Sequence, residues 1–154
     1  VRVAAVVVAV FLTAGLAGCG ATVPGTPRVG AVPPGDRALI DAYVADSNRA
    51  AAAGARAQAD FLRASQAEGV PFPPDRCFAE LTLDTRLVAR TLRPDPDWKP
   101  PASLPEIGRP AGAVYVAAAA VTVRRGSAEV REDVGSKHFV IRDTRVSSYA
   151  PCAD

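Results

Sequence analysis

Residues 113–150 read AVYVAAAAVTVRRGSAEVREDVGSKHFVIRDTRVSSYA. From Ala113 to Arg124 the residues are apolar on both parities. Val114 and Val116 stand on one, Tyr115, Val121 and Val123 on the other, as in a strand with both faces covered. Arg125-Gly126-Ser127 is a turn signal. Ala128 to Arg142 returns as a second strand. Its apolar parity changes at Gly135, with Val130 and Val134 before it and Phe139 and Ile141 after. A one-residue phase slip at a glycine predicts a β-bulge there. Asp143-Thr144 makes a tight turn, and Arg145 to Ala150 is the last strand. The second half of the chain is therefore an antiparallel meander.

Working upstream, Arg93 to Gly112 carries six prolines and the single tryptophan, Trp98. A long irregular stretch inside a compact domain often carries function. Trp98 either folds back over the core as the loop's anchor or meets a partner. Before it, Phe78 to Leu92 alternates. Leu81, Leu83 and Leu87 share one parity, and Glu80, Thr82, Asp84 and Arg86 the other, which predicts a half-buried strand. Asp36 to Glu68 reads as helix. Asp36 is suited to the N-cap, and Leu39, Ile40, Tyr43, Val44, Ser47, Phe61, Leu62 and Ser65 recur at three- and four-residue steps. An unbroken helix of that length would run almost 50 Å, long for so small a domain, and Gly54 offers a break. Helix followed by antiparallel sheet is an α+β plan. The expected fold is a long or broken N-terminal helical region packed on a curved antiparallel sheet of about four strands.

The N-terminal end carries a different signal. Arg2 precedes an unbroken apolar run from Val3 to Leu12, and Thr13-Ala14-Gly15 leads to Leu16-Ala17-Gly18-Cys19. The run is too short for a hydrocarbon core of about 30 Å, but has the charge, length and small-residue exit of a secretory signal. Leu-Ala-Gly-Cys resembles the lipobox of bacterial lipoproteins. That resemblance implies cleavage between Gly18 and Cys19, a diacylglyceryl anchor on Cys19, and a place on the outer face of the cytoplasmic membrane. Gly20 to Gly35, rich in Pro and Gly, reads as a tether. The expected organisation is a signal peptide over 1–18, a lipidated tether over 19–35 and one α+β domain over 36–154. Many arginines against two lysines, with abundant Ala, Gly and Pro, point to GC-rich coding and an actinobacterial source.

Of three cysteines, Cys77 and Cys152 remain once Cys19 is lipidated, and an even remainder in an exported protein favours a disulfide. Cys77 precedes the first strand and Cys152 follows the last. Strand neighbours lie about 4.8 Å apart, and a disulfide needs Cα atoms within about 7 Å. The bridge therefore predicts the first strand beside the last. The doubly apolar 113–124 strand then falls at an edge. Exposed apolar edges invite pairing, so Val114 and Val116 join Trp98 as candidate partner contacts.

The net charge of +2, with signs interspersed, gives no footprint for nucleic acid. One histidine and two distant cysteines offer no metal-ligand spacing, and no cofactor motif is present. The helix Asp36–Glu68, the strand around Gly135 and the ending Lys137–Arg145 with Tyr149-Ala150-Pro151-Cys152 together resemble the NTF2-like (cystatin-like) superfold. They also resemble small actinobacterial lipoproteins of that fold. The superfold hosts enzymes and binding modules alike. Its isomerase-type enzymes imply His138, Asp84, Tyr115 and Tyr149 as catalytic candidates. Asp84 shares a parity with Glu80 and Arg86, which suits solvated ion pairs, and a lone His138 suits a surface or hydrogen-bonded structural role. The expected function is a non-enzymatic accessory or protein-interaction module, held to the membrane through Cys19 and meeting a protein partner or a second copy. The alternatives are a carrier of a small apolar ligand or lipid between helix and sheet, and an NTF2-like isomerase or dehydratase.

Overall fold

The computed structural model describes residues 30–67, 80–100 and 109–149. Cys19, Gly18, Cys77 and Cys152, and with them the expected anchor and the expected bridge, lie outside the described residues. Two helices, α1 (Pro34–Ala53) and α2 (Ala55–Ala64), pack on one face of a strongly curled antiparallel sheet. The strands are β1 (Leu81–Leu87), β2 (Arg93–Pro94), β3 (Ala113–Arg125), β4 (Ala128–Arg142) and β5 (Arg145–Ser148). This is the α+β plan expected from the pattern.

The helical region breaks at Gly54, whose φ of +119° is a conformation that a side chain would strain. Asp36 is not the N-cap. Pro33 takes that place, with proline at the first helical position, and the Asp36 carboxylate accepts instead from the Tyr115 hydroxyl of β3. The first turn of α1 is thereby clamped to the central strand. Tyr43 pins the other end of the helix pair. Its hydroxyl bonds Ser148 Oγ at 2.6 Å and Ser65 Oγ at 3.2 Å, joining α1, the end of α2 and β5. Arg145 donates to the Ala64 carbonyl, and Gln66 forms a parallel bridge with Ser148, so the chain leaving α2 pairs along β5.

The sheet order is β1-β3-β4-β5, with β2 also on β3. This corrects two expectations. The first strand lies beside β3 and not beside the last, and the doubly apolar β3 is central, not an edge. Its composition is explained by that position. Tyr115, Ala117 and Val123 face the helices, while Val114 and Val116 are buried on the other face. The bulge is also displaced. Gly135 pairs in regular register with Ala119, and the register shift falls opposite Val123 and Arg124, where Val130 is the extra residue. The apparent phase slip arose because Val134 is simply exposed, at 77%, while Phe139 and Ile141 on the other parity form core.

The outer edge of β1 is closed by side chains. Gln58 donates to the Leu83 carbonyl at 2.6 Å and accepts from the Leu83 N–H at 2.7 Å. Asn48 does the same with Thr85, at 2.8 and 2.9 Å. Each amide replaces one residue of a missing strand, so the edge cannot add a neighbour. The free edge of β4 is blunted differently, by Glu129, Arg131, Glu132 and Asp133 and by the bulge at Val130. The Asp143–Thr144 turn has φ of 50° and 63°, the left-handed pair that closes a two-residue hairpin. Thr144 is β-branched and sits there at a steric cost.

Candidate functional site: a Trp98, His138 and Asp95 cluster

The face of the sheet turned away from the helices carries the most concentrated chemistry among the described residues. After β2 the chain makes a turn, Asp95-Pro96-Asp97-Trp98, closed by the Trp98 N–H on the Asp95 carbonyl at 3.2 Å. The Asp95 N–H bonds the Val114 carbonyl at 2.8 Å and seats the turn on β3. Sequence dictates the shape: Pro96 presets the first central φ of the turn, and aspartate suits the position before it.

This turn lays two side chains on His138 of β4. Its Nε2 lies 3.1 Å from Asp95 Oδ2, and the Trp98 indole stacks on the imidazole with centroids 4.5 Å apart and planes 25° apart. Tyr149, whose ring meets Trp98 edge-on at 4.5 Å, closes the far side. Beneath them Ala67, Val114 and Val140 supply an apolar floor. Burial pushes the Tyr149 hydroxyl above the usual tyrosine range, so it stays a neutral hydrogen-bonding group. The pair side chains of His138 and Asp95 remain 18% and 25% exposed. The arrangement fixes the imidazole from one edge and one face. The indole, imidazole and carboxylate remain partly exposed.

His138 is therefore not alone. Asp95 was missed because the proline-rich stretch has no periodicity, although the Asp-Pro-Asp turn signal was there to be read. The four catalytic candidates do not converge. His138 and Tyr149 flank Trp98, Tyr115 lies on the helix-facing side bonded to Asp36, and Asp84 is exposed on β1 opposite Thr122. Trp98 packs against the cluster of Val114, Val140 and Tyr149. Val114 and Val116 are 4% and 5% exposed, beneath the cluster and not at an open edge. Among the described residues no group of three His, Cys, Asp or Glu side chains could hold a metal ion. No described helix is long and apolar enough to cross a membrane.

No protein-family model, no curated protein and no solved structure matches this chain.

Proposed function

We propose that this chain is a lipid-anchored, non-enzymatic interaction module that works at the outer face of the cytoplasmic membrane. Its binding face is the Trp98 turn. One observation carries the choice of face: the sole tryptophan is held on the side of the sheet that the helices leave open, braced by His138, Asp95 and Tyr149. Half-buried aromatic groups on a rigid support, rimmed by polar side chains, are the composition of binding hot spots. The Leu16-Ala17-Gly18-Cys19 stretch and the Pro/Gly-rich tether supply the anchor in this reading.

The bridge between Cys77 and Cys152 belongs to the same proposal, and it does not need β1 beside β5. The Ala67 N–H bonds the Ser148 carbonyl at 3.4 Å, so the segment leading to Cys77 and the segment leading to Cys152 both depart from one place.

The test is photocrosslinking in cells from position 99, next to Trp98, compared with position 129 on the far half of β4. A discrete protein adduct is expected from position 99 and none from 129. Trp98→Ala should weaken its yield at least tenfold, the order of a hot-spot truncation. Equal adducts from both positions, or none from 99, would remove the Trp98 face from the account.

A further inference from the structure

The edges of the sheet are finished unevenly. Two side-chain amides close β1, and the chain leaving α2 runs along β5 at Gln66 and Ala67. β5 covers only 139–142 of β4, whereas β4 pairs with β3 from Ala128 to Ile141. Among the described residues no strand lies beside 132–137 of β4. The bulge at Val130 ends this regular edge short of Glu129.

The register tells which groups are left over. The Val114 and Ala118 carbonyls serve Asp95 and Val88, so the even-numbered residues of β3 turn their backbone away from β4. The odd-numbered residues of the two strands therefore bond one another, and Glu132, Val134 and Ser136 turn N–H and C=O to the open side. Val134 is 77% exposed, and nothing lies within 4 Å of the place that a Cβ on Gly135 would take. Lys137, half-buried, stands in register with Ala117 on the helix-facing side, and among the described residues nothing bonds its amine. Burial pushes that amine below the ordinary lysine range, and a carboxylate beside it would restore its charge.

We propose that the edge of β4 over 132–137 is a docking site for an extended segment of another protein, added antiparallel in line with β5, with an acidic residue opposite Lys137 and an apolar residue opposite Val134. The backbone of Glu132, Val134 and Ser136 supplies the hydrogen bonds, and the side-chain pairs supply the selectivity. Lys137 falls in a non-hydrogen-bonded pair, where facing Cα atoms are about 4.5 Å apart and side chains lie closest. The chain's own strands suit the place badly. A second copy of β4 paired about Val134 or Gly135 would run its first residues into β5, and paired about Asp133 it would set two aspartates face to face. In the line of β5, Pro151 would face Ser136 with no N–H to give, and Asp154 would face Asp133. Glu132 and Asp133 thus keep copies of this edge apart, and leave a foreign strand free to meet them with neutral or basic residues. The site does not depend on the Trp98 turn being a binding face.

The test titrates the 15N-labelled full chain with the peptide acetyl-Thr-Glu-Thr-Thr-Val-Thr-Thr-amide, whose Glu and Val are spaced to meet Lys137 and Val134. The amide signals of Glu132, Val134 and Ser136 should move along one saturating curve and slow in hydrogen exchange. The same peptide N-methylated at the two residues facing Val134 and Ser136 should leave them unmoved. Replacing the peptide's Glu by Lys should weaken binding roughly fivefold, the order of one cross-strand charge pair, and Lys137→Glu should reverse that preference. An N-methylated peptide bound as well as its parent, Glu and Lys peptides bound alike, or shifts that do not saturate would each overturn the proposal. Val134 and Ser136 amides already slow to exchange without peptide would give the edge to the chain itself, and shifts with protein concentration alone would give it to a second copy; either overturns the proposal as well.

Discussion

Replacing Gln58 by leucine should destabilise the domain by about 3 kcal/mol and lower its melting temperature by roughly 10 °C. Gln58 is fully buried at 0% exposure, and both ends of its amide serve the backbone of Leu83. Leucine has nearly the same volume, so the packing term changes little. The Leu83 N–H and carbonyl, however, lose their partners, and each unmade buried group costs about 1–3 kcal/mol. Gln58→Glu should fail for a related reason. A carboxylate accepts from the Leu83 N–H but cannot donate to its carbonyl, and it brings a charge into the interior. Asn48→Leu should cost less, because Asn48 and its bonds to Thr85 are only partly buried. Losing either amide also uncovers the β1 edge, so the Gln58→Leu protein should self-associate at concentrations where the parent does not. Chemical denaturation and light scattering read both effects. A Gln58→Leu protein as stable and as dispersed as the parent would mean that the two amides do not hold this edge.

Raising the pH from 10 to 12 should remove about 1 kcal/mol of stability through Tyr115 alone, once solvent screening at its rim position is allowed for. Burial, and then the hydrogen bond and the negative charge of Asp36, push the Tyr115 hydroxyl up to about 12. In the unfolded chain it titrates at the ordinary tyrosine value of 10.0. Between those values the folded protein keeps a proton that the unfolded chain releases. The contribution is therefore whole below pH 10 and is lost as the pH rises through 12. The full swing would be nearer 3 kcal/mol. The ring is buried at 4% exposure, but its hydroxyl reaches half-buried Asp36 at the rim, where solvent screening trims the effect. Tyr115→Phe should begin less stable at neutral pH, with Asp36 left without its donor, and should lose less between pH 10 and 12. The difference between the two proteins isolates Tyr115 from Tyr43 and Tyr149, whose hydroxyls burial also pushes up. Equal alkaline losses in both proteins would separate Asp36 from Tyr115. In the proposed lipid-anchored form, Asp36 would stand where the tether enters the first helix, and releasing the clamp would lengthen that tether.

Periodicity carried the elements well and their arrangement poorly. The break at Gly54, the two long strands and both hairpin turns stand where residue pattern and turn chemistry placed them. Strand order did not follow. A bridge between cysteines at the strand ends implies the first strand beside the last, whereas it is the chain leaving α2 that runs along β5, at Gln66 and Ala67. The bulge was misplaced because an exposed valine at 134 was counted as core. Of the site, Trp98, His138 and Tyr149 were legible as unusual residues, but not as neighbours. They come from a loop, a strand and the strand's far partner, and only the register brings His138 beside Tyr149. Gln58 left a signal that was passed over. It stands four residues after Gly54 and three before Phe61, an amide on the apolar stripe of the helix. A polar group at such a position has to find a buried partner.

The proposed function depends on the anchor, because a domain with a binding face and no tether would be a different device. The most direct measurement is the intact mass of the native protein extracted from membranes, followed by its N-terminal peptide. The expected result is a chain beginning at Cys19 that carries a diacylglyceryl group, lighter by two hydrogens than the reduced form because Cys77 and Cys152 are joined. A tryptic peptide running uncut through Gly18 and Cys19, or a native chain with an unmodified Cys19, would contradict it.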